Sequence, residues 1–136
     1  MKRLSLLLIW LSLGCSSYDL ATPTEEFIAG KWELTAVNGA SLPYAVPGAG
    51  LNKQQIVEDV VTITPPSTFT EVTTLQDTRD GQVATQTITD SGTYEFNSYV
   101  VTFHFASDGS IGAGTLTGRT MKIVTSGISF TYRKQE

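Results

Sequence analysis

The side chains that most often carry out catalysis or bind metals are scarce in this chain. Its 136 residues include one histidine, His104, and one cysteine, Cys15. His104 lies on the opposite face of a predicted strand from its two phenylalanine neighbours, so we expect it to face solvent. Glu58 and Asp59 are adjacent on another predicted strand and should point to opposite faces, which prevents them from forming a general acid–base pair with each other. A zinc site would need carboxylates alone, which are poor ligands for zinc. The sequence therefore predicts no enzymatic activity, no metal site and no cofactor.

The composition narrows the class of protein further. The formal net charge is -4, whereas binding to nucleic-acid phosphates needs clustered Lys and Arg. A single cysteine excludes a disulfide scaffold. With 40% hydrophobic and 16% charged residues, the chain has the material for one small globular domain. We expect such a domain, with no nucleic-acid partner.

The first residues have the pattern of an export signal. Lys2 and Arg3 form a positive start, an apolar run extends from Leu4 to Leu13, and the small Gly14 follows. The apolar run is too short to span a bilayer as a helix. We therefore predict a signal peptide over residues 1–14 and an exported protein.

The end of this signal resembles the lipobox of bacterial lipoproteins. In those proteins signal peptidase cuts before a cysteine that carries a diacylglyceryl group, and here Leu13-Gly14-Cys15 stands at that junction. The resemblance implies that Cys15 is lipidated and that its acyl chains attach the protein to a membrane of the bacterial cell envelope. By resemblance to enterobacterial sorting, Ser16 favours the outer membrane. Residues 15–26 are then a polar tether and residues 27–136 the folded domain; an ordinary secretory signal with a chance cysteine is the alternative.

The domain reads as a series of short strands. Alternating runs rich in Thr, Val, Ile, Tyr and Phe are separated by turn residues, and no run has a sustained helical period. Such spacing favours an antiparallel up-and-down β-barrel of about eight to nine strands, with an open two-sheet sandwich as the rival. The loop from Leu42 to Gln55 contains two prolines and ends in a possible helical turn over Leu51 to Gln55. The nine candidate strands are Gly30 to Val37, Ile56 to Thr64, Thr68 to Leu75, Gln82 to Thr89, Thr93 to Phe96, Tyr99 to Ala106, Ile111 to Thr117, Arg119 to Thr125 and Ile128 to Arg133.

Alternation also predicts what faces the barrel interior. The apolar candidates for the core or a ligand pocket are Trp32, Leu34, Tyr94, Phe96, Val101, Phe103, Phe105, Met121, Ile123, Ile128, Phe130 and Tyr132. The second to fourth strands are more polar, with Glu58 or Asp59, Glu71, Thr73, Gln82, Thr85, Gln86 and Thr87. One wall is therefore aromatic and the other comparatively polar, as in a pocket for an amphipathic molecule.

The first and last strands resemble those of a known family. Gly30-Lys31-Trp32 resembles the Gly-x-Trp signature of lipocalins and the wider calycin group. In that group the Trp closes one end of the barrel and packs against an Arg of the last strand, which corresponds to Arg133 here. The stretch from Trp32 to Gly39 followed by Leu42-Pro43 also resembles the opening of small bacterial lipoproteins described as lipocalin-like, and short motifs from Gly92-Thr93-Tyr94 to Tyr132-Arg133 resemble their later part. The resemblance implies a Trp32–Arg133 contact, although strict alternation puts Arg133 on the outer face unless a bulge intervenes.

Two functions agree with this reading. The first is the binding of a small hydrophobic or amphipathic ligand inside the barrel. The second is a non-catalytic structural or interaction module, or an inhibitor, that has a filled core and uses the loop from Leu42 to Gln55 as its contact surface. A cavity above about 300 Å³ lined by Tyr94, Phe103, Phe105 and Phe130 favours the first function, and a filled interior favours the second.

Overall fold

A computed structural model describes residues 22–48 and 53–136 of the chain. The elements are α1 (Glu25–Ile28), β1 (Gly30–Val37), β2 (Ala40–Ser41), β3 (Tyr44–Ala45), β4 (Lys53–Thr64), β5 (Thr68–Arg79), β6 (Gln82–Asn97), β7 (Val100–Phe105), β8 (Ile111–Thr117), β9 (Thr120–Thr125) and β10 (Ile128–Lys134). The strands pair antiparallel in the order β2-β1-β10-β9-β8-β7-β6-β5-β4-β3, and β1 also pairs with β4. This additional pairing closes a barrel of eight strands, β1 and β4 to β10, and leaves β2 and β3 as short additions. The predicted all-β, antiparallel, up-and-down barrel is confirmed, and the sandwich is excluded.

The first turn has the conformation that its sequence predicts. Asn38 and Gly39 have φ angles of 49° and 81°, as a tight hairpin turn of this kind requires. The side-chain oxygen of Asn38 accepts a hydrogen bond of 2.9 Å from the backbone N–H of Ser129. The turn is thereby tied to the strand that neighbours β1 in the barrel.

The prediction of separate fourth and fifth strands is wrong, because both belong to β6. Asp90-Ser91-Gly92 does not turn the chain but continues the strand, with Glu71 opposite Asp90 and Phe69 opposite Gly92 on β5. A Cβ atom on Gly92 would lie 1.9 Å from the backbone oxygen of His104 and 2.8 Å from the Phe69 ring. Glycine is therefore used here for a close approach of backbone and ring within a strand, not for a turn.

The outer part of β6 extends beyond the barrel. Residues 82–91 pair with β5, whereas the pairing with β7 begins at Gly92. Within the described residues, the second edge of this segment has no strand partner. Val83 and Ile88 on it are 59% and 44% exposed.

The segment from Leu42 to Gln55 is only partly a loop. Tyr44–Ala45 forms β3 and pairs with Ile56 and Gln55, and β4 begins at Lys53. The predicted helical turn over Leu51 to Gln55 is therefore wrong for its described part, residues 53–55. Pro43 and Pro47 flank β3 and, because proline cannot donate to a ladder, they keep it short.

One end of the barrel is closed by α1. Thr24 caps this helix, with its side chain accepting from the backbone N–H of Phe27. Ile28 is fully buried, and its carbonyl accepts a hydrogen bond of 2.8 Å from the indole N–H of Trp32. The folded part of the chain thus begins within the segment predicted to be a tether, residues 15–26.

The remaining N-terminal predictions fall on other residues. The predicted signal peptide, Cys15 and the first part of the tether lie outside the described residues. Among the residues that the structure describes, no helix has the length and apolar character needed to cross a membrane.

Candidate functional site

An open pocket of about 320 Å³ lies inside the barrel, at the end opposite α1. One side of it is apolar and the other carries carboxyl and hydroxyl groups. Its lining consists of Ile56, Asp59, Glu71, Thr73, Asp90, Phe105, Ser110, Ile123, Thr125, Phe130 and Tyr132.

The half of the barrel nearer α1 is filled. The ring of Phe69 packs edge-on against Phe103 and Phe105, with ring centroids 5.0 and 5.1 Å apart. Tyr94 and Phe103 are buried in this core, whereas Phe105 and Phe130 line the pocket. Two of the four aromatic residues expected around a cavity therefore face it, and the other two fill the core.

The polar wall of the pocket follows from strand alternation and one bulge. Glu71 stands opposite Val61 on β4 and opposite Asp90 on β6, while Asp59 stands opposite Thr73. A register shift between Ile56 and Glu58 brings Ile56 to the same face as Asp59, although the two are three residues apart. Asp59, not Glu58, is thus the residue that faces inward.

Tyr132 on β10 bridges the two carboxyl groups of β4 and β5, because β1 pairs with both β10 and β4 and brings these strands close together. Its hydroxyl lies 3.2 Å from Asp59 Oδ2 and 3.4 Å from Glu71 Oε1. A phenol has a single hydrogen to donate, so only one carboxylate can receive it at a time. The arrangement is therefore best satisfied when one of the two carboxyl groups keeps its own proton.

The electrostatics of this cluster favour the same conclusion. Asp59 is only 4% exposed, and burial, followed by the charge of Glu71, raises its pKa to about 8. Burial also raises the pKa of Glu71 above its usual value, and burial beside two carboxyl groups raises that of Tyr132. At neutral pH the Asp59–Glu71 pair thus holds a proton.

The third carboxyl group of the wall differs from the other two. Asp90 accepts a hydrogen bond of 2.7 Å from the N–H of Ser91 and another from the hydroxyl of Ser107. By contrast, Asp59 Oδ1 is buried and has no hydrogen-bond partner among the described residues.

None of the described residues that line the pocket is basic, and no group of His, Cys, Asp and Glu in the described part of the chain is arranged to hold a metal ion.

The closing contact at the other end of the barrel involves a different residue from the predicted one. Arg133 is exposed and stands opposite Glu33, whereas Lys134 stands opposite Trp32. The Lys134 ammonium lies 6.0 Å from the Trp32 ring centre and 4.9 Å from that of Phe27, and it donates to the Phe27 carbonyl. The predicted Trp32–Arg133 pair is therefore replaced by Trp32 and Lys134, because alternation along β10 keeps Arg133 outside.

The other candidate residues are distributed between core and surface. His104 is half-buried on the outer face, 3.9 Å from Glu95, and does not line the pocket. Phe96, Phe105 and Phe130 are partly buried against the core, and Ile128 is 38% exposed. The predicted candidates that are buried in the core are Trp32, Leu34, Tyr94, Val101, Phe103, Met121, Ile123 and Tyr132.

Sequence reasoning identified a polar wall but missed the cluster of Asp59, Glu71 and Tyr132. Alternation places Tyr132 in the apolar interior, and it puts Glu58 or Asp59 on the polar wall with Glu71 without predicting that these side chains meet Tyr132. The signal in the sequence is that Glu71 and Thr73 lie on the same face of β5. Because β4 and β5 form a hairpin, this face adjoins the inward face of β4, which carries Asp59.

The comparisons with known proteins add no relative. No protein-family model matches this chain, and no curated protein or solved structure has significant similarity to it. The fold itself, a closed eight-stranded antiparallel barrel in up-and-down order, is compatible with a lipocalin-like architecture.

Proposed function

We propose that this protein is a lipid-anchored, lipocalin-like barrel of the bacterial cell envelope that binds a small amphipathic ligand without catalysing a reaction. The observation that carries the proposal is the open pocket of about 320 Å³, with Phe105, Ile123 and Phe130 on one side and carboxyl groups on the other. Pockets that bind small molecules have this mixture of apolar lining and a few polar groups that orient the ligand.

The rest of the barrel supports a binding role. The Trp32 indole and Ile28 close the end near α1, so the pocket has a packed floor and one mouth. A rigid floor reduces the ordering that a ligand must impose when it binds. The lipid anchor is part of the proposal because the sequence around Cys15 resembles a lipobox.

The test is to isolate the full chain from its host and identify bound small molecules by native mass spectrometry and solvent extraction. Thr125→Trp places a large side chain in the pocket, whereas Val124→Trp is the matched control because Val124 is 49% exposed on the outer face. We expect the unmodified chain and V124W to retain a ligand and T125W to lose it. Recovery of no ligand from any of the three, or equal recovery from T125W, would contradict the proposal.

A second candidate function is an interaction module, and one observation favours it. Residues 82–90 of β6 leave one strand edge unpaired within the described residues, whereas the Ser91 carbonyl already accepts a hydrogen bond from the N–H of Ala106. Val83 and Ile88 on this segment are exposed. Such edges accept a further strand from a partner. Val83→Lys and Ile88→Lys should abolish association measured by light scattering if the edge is a contact surface, and should leave ligand retention unchanged.

A further inference from the structure

We propose that the pocket selects ligands that carry a protonated amine, with Asp59 and Glu71 accepting its hydrogen bonds and its apolar body lying against Phe105 and Phe130. This inference rests on the proposed function, because it names the chemical class of ligand that the same pocket takes.

The carboxyl group of Asp59 is one feature of the pocket that points to an amine. This side chain is 4% exposed and lines the pocket, and its Oδ1 atom has no hydrogen-bond partner among the described residues. Buried polar atoms in folded proteins nearly always have a partner. Because this oxygen is itself covered by its surroundings, a ligand donor reaches it when the Asp59 side chain turns toward the pocket, and an ammonium group has three N–H donors to offer it.

The sign of the charge around the pocket also points to an amine. The titratable groups that face it are Asp59 on β4, Glu71 on β5, Asp90 on β6 and Tyr132 on β10. The described lining contains no basic side chain to offset them. A cation is attracted to such a wall, whereas the carboxylate of a fatty acid is repelled by it.

The pocket is divided into an apolar side and a side that carries carboxyl groups. Phe105, Ile123 and Phe130 form an apolar surface beside the carboxyl groups, so a ligand with a charged head and an apolar body satisfies both. An aromatic body adds ring contacts with the two phenylalanines. A hydrated metal ion would leave the apolar side uncovered.

Proton exchange follows from the state of the free pocket. Burial and the charge of Glu71 raise the pKa of Asp59 to about 8, so the Asp59–Glu71 pair holds a proton at pH 7. When an ammonium binds, its positive charge stabilises both carboxylates, and that proton leaves to solvent. Amine affinity should therefore rise between pH 6 and pH 8, with release of up to one proton for each ligand bound.

The experiment uses three probes that share one apolar body: 2-phenylethylammonium, 2-phenylethanol and 3-phenylpropanoate. Each is titrated calorimetrically into the purified full chain, at pH 6, 7 and 8 and in two buffers of different ionisation enthalpy. We expect the ammonium to bind at least about tenfold more tightly than the alcohol, and the carboxylate to bind most weakly. The heat of ammonium binding at pH 7 should differ between the buffers because a proton is released.

The variants are Asp59→Asn and Glu71→Gln, with Glu58→Gln as the matched control that removes one exposed carboxylate from the same strand. D59N and E71Q should each weaken ammonium binding about tenfold or more, and E58Q less than about twofold. Thermal unfolding of each variant establishes that it is folded.

Each result distinguishes the inference from the proposed function. Equal or tighter binding of the alcohol or the carboxylate overturns the preference for an amine and leaves the pocket as a binding site. Ammonium binding that is unchanged in folded D59N and E71Q also overturns the inference. If none of the three probes binds, the inference fails, and ligand retention by the unmodified chain and T125W decides the proposed function separately.

Discussion

The buried carboxyl group of Asp59 makes the stability of this barrel depend on pH in an unusual direction. Burial, followed by the charge of Glu71, raises the pKa of this group from its ordinary value of 3.8 to about 8 in the folded protein. Below the pKa of the unfolded state, such a carboxyl group is protonated in both the folded and the unfolded protein, so it costs almost no free energy of folding. The folded state then loses stability as pH rises through the window from about pH 4 to about pH 8.

The Asp59→Asn substitution removes this dependence with almost no change in shape. Each unit of pKa difference corresponds to about 1.4 kcal/mol, so the ionisable Asp59 costs up to about 4 kcal/mol at pH 7 relative to a neutral residue. We therefore expect D59N to raise the free energy of unfolding at pH 7 by up to about 4 kcal/mol and to change it little at pH 4. Part of this gain comes from Glu71, which no longer faces a second carboxyl group.

The assay is urea unfolding of the full chain at pH 4, 5.5, 7 and 8.5, followed by circular dichroism. Glu58→Gln is the control, because Glu58 is exposed on the outer face next to Asp59, and it should change the free energy of unfolding by less than about 0.5 kcal/mol at every pH. If D59N destabilises the protein at pH 7, or its advantage over the unmodified chain does not grow with pH, the account of the buried pair is refuted.

Three further predictions concern the packing of the barrel and its attachment. Gly92→Ala should lower the free energy of unfolding by about 2 kcal/mol or more, because its Cβ would lie 1.9 Å from a backbone oxygen of β7 and backbone cannot move aside easily. Gly112→Ala is the control, since its Cβ would meet only side chains at 3.3 Å and beyond. It should lower the free energy of unfolding clearly less in the same urea titration. Lys134→Ala should lower the free energy of unfolding by about 1 kcal/mol, because it removes the contacts of Lys134 with the α1 end of the barrel. Arg133→Ala should have almost no effect on it. A larger loss in Arg133→Ala than in Lys134→Ala would instead support the predicted Trp32–Arg133 contact. Cys15→Ala should move the protein from the membrane fraction to the unbound fraction on centrifugation, and a variant that stays with the membranes would overturn the lipid anchor.

The barrel was predictable because its signals are local and repeated. Alternating apolar residues such as Val101 and Phe103 on one strand mark an inner face, and Asn38-Gly39 marks a tight turn. Such features depend on neighbours in the sequence and persist in the fold. The closure of eight such strands follows because an open sheet would leave unpaired edges.

The merged strand β6 could not be recognised in the same way. Asp90-Ser91-Gly92 has the composition of a turn, but the role of Gly92 depends on the His104 backbone and the Phe69 ring, both distant in sequence. Local propensity and tertiary contact point in different directions at this position, and the tertiary contact determines the structure.

The site was predictable only as a polar wall. The inward direction of Asp59 rather than Glu58 depends on register with β5, and the shared face with Ile56 depends on a bulge. Tyr132 lies on β10, and this strand comes close to β4 and β5 only because β1 pairs with both β10 and β4. A pattern of alternation along one strand contains no information on which residues of other strands meet in the interior.

The most direct test of ligand binding in the open end of the barrel is to locate a bound probe. The measurement is an NMR titration of the isotope-labelled full chain with 2-phenylethylammonium. We expect shift changes to concentrate on the residues that line the pocket, including Phe105, Ile123 and Phe130, and the Trp32 indole at the closed end to stay unchanged. Changes confined to the outer surface, or no saturable change at any residue, would contradict this expectation.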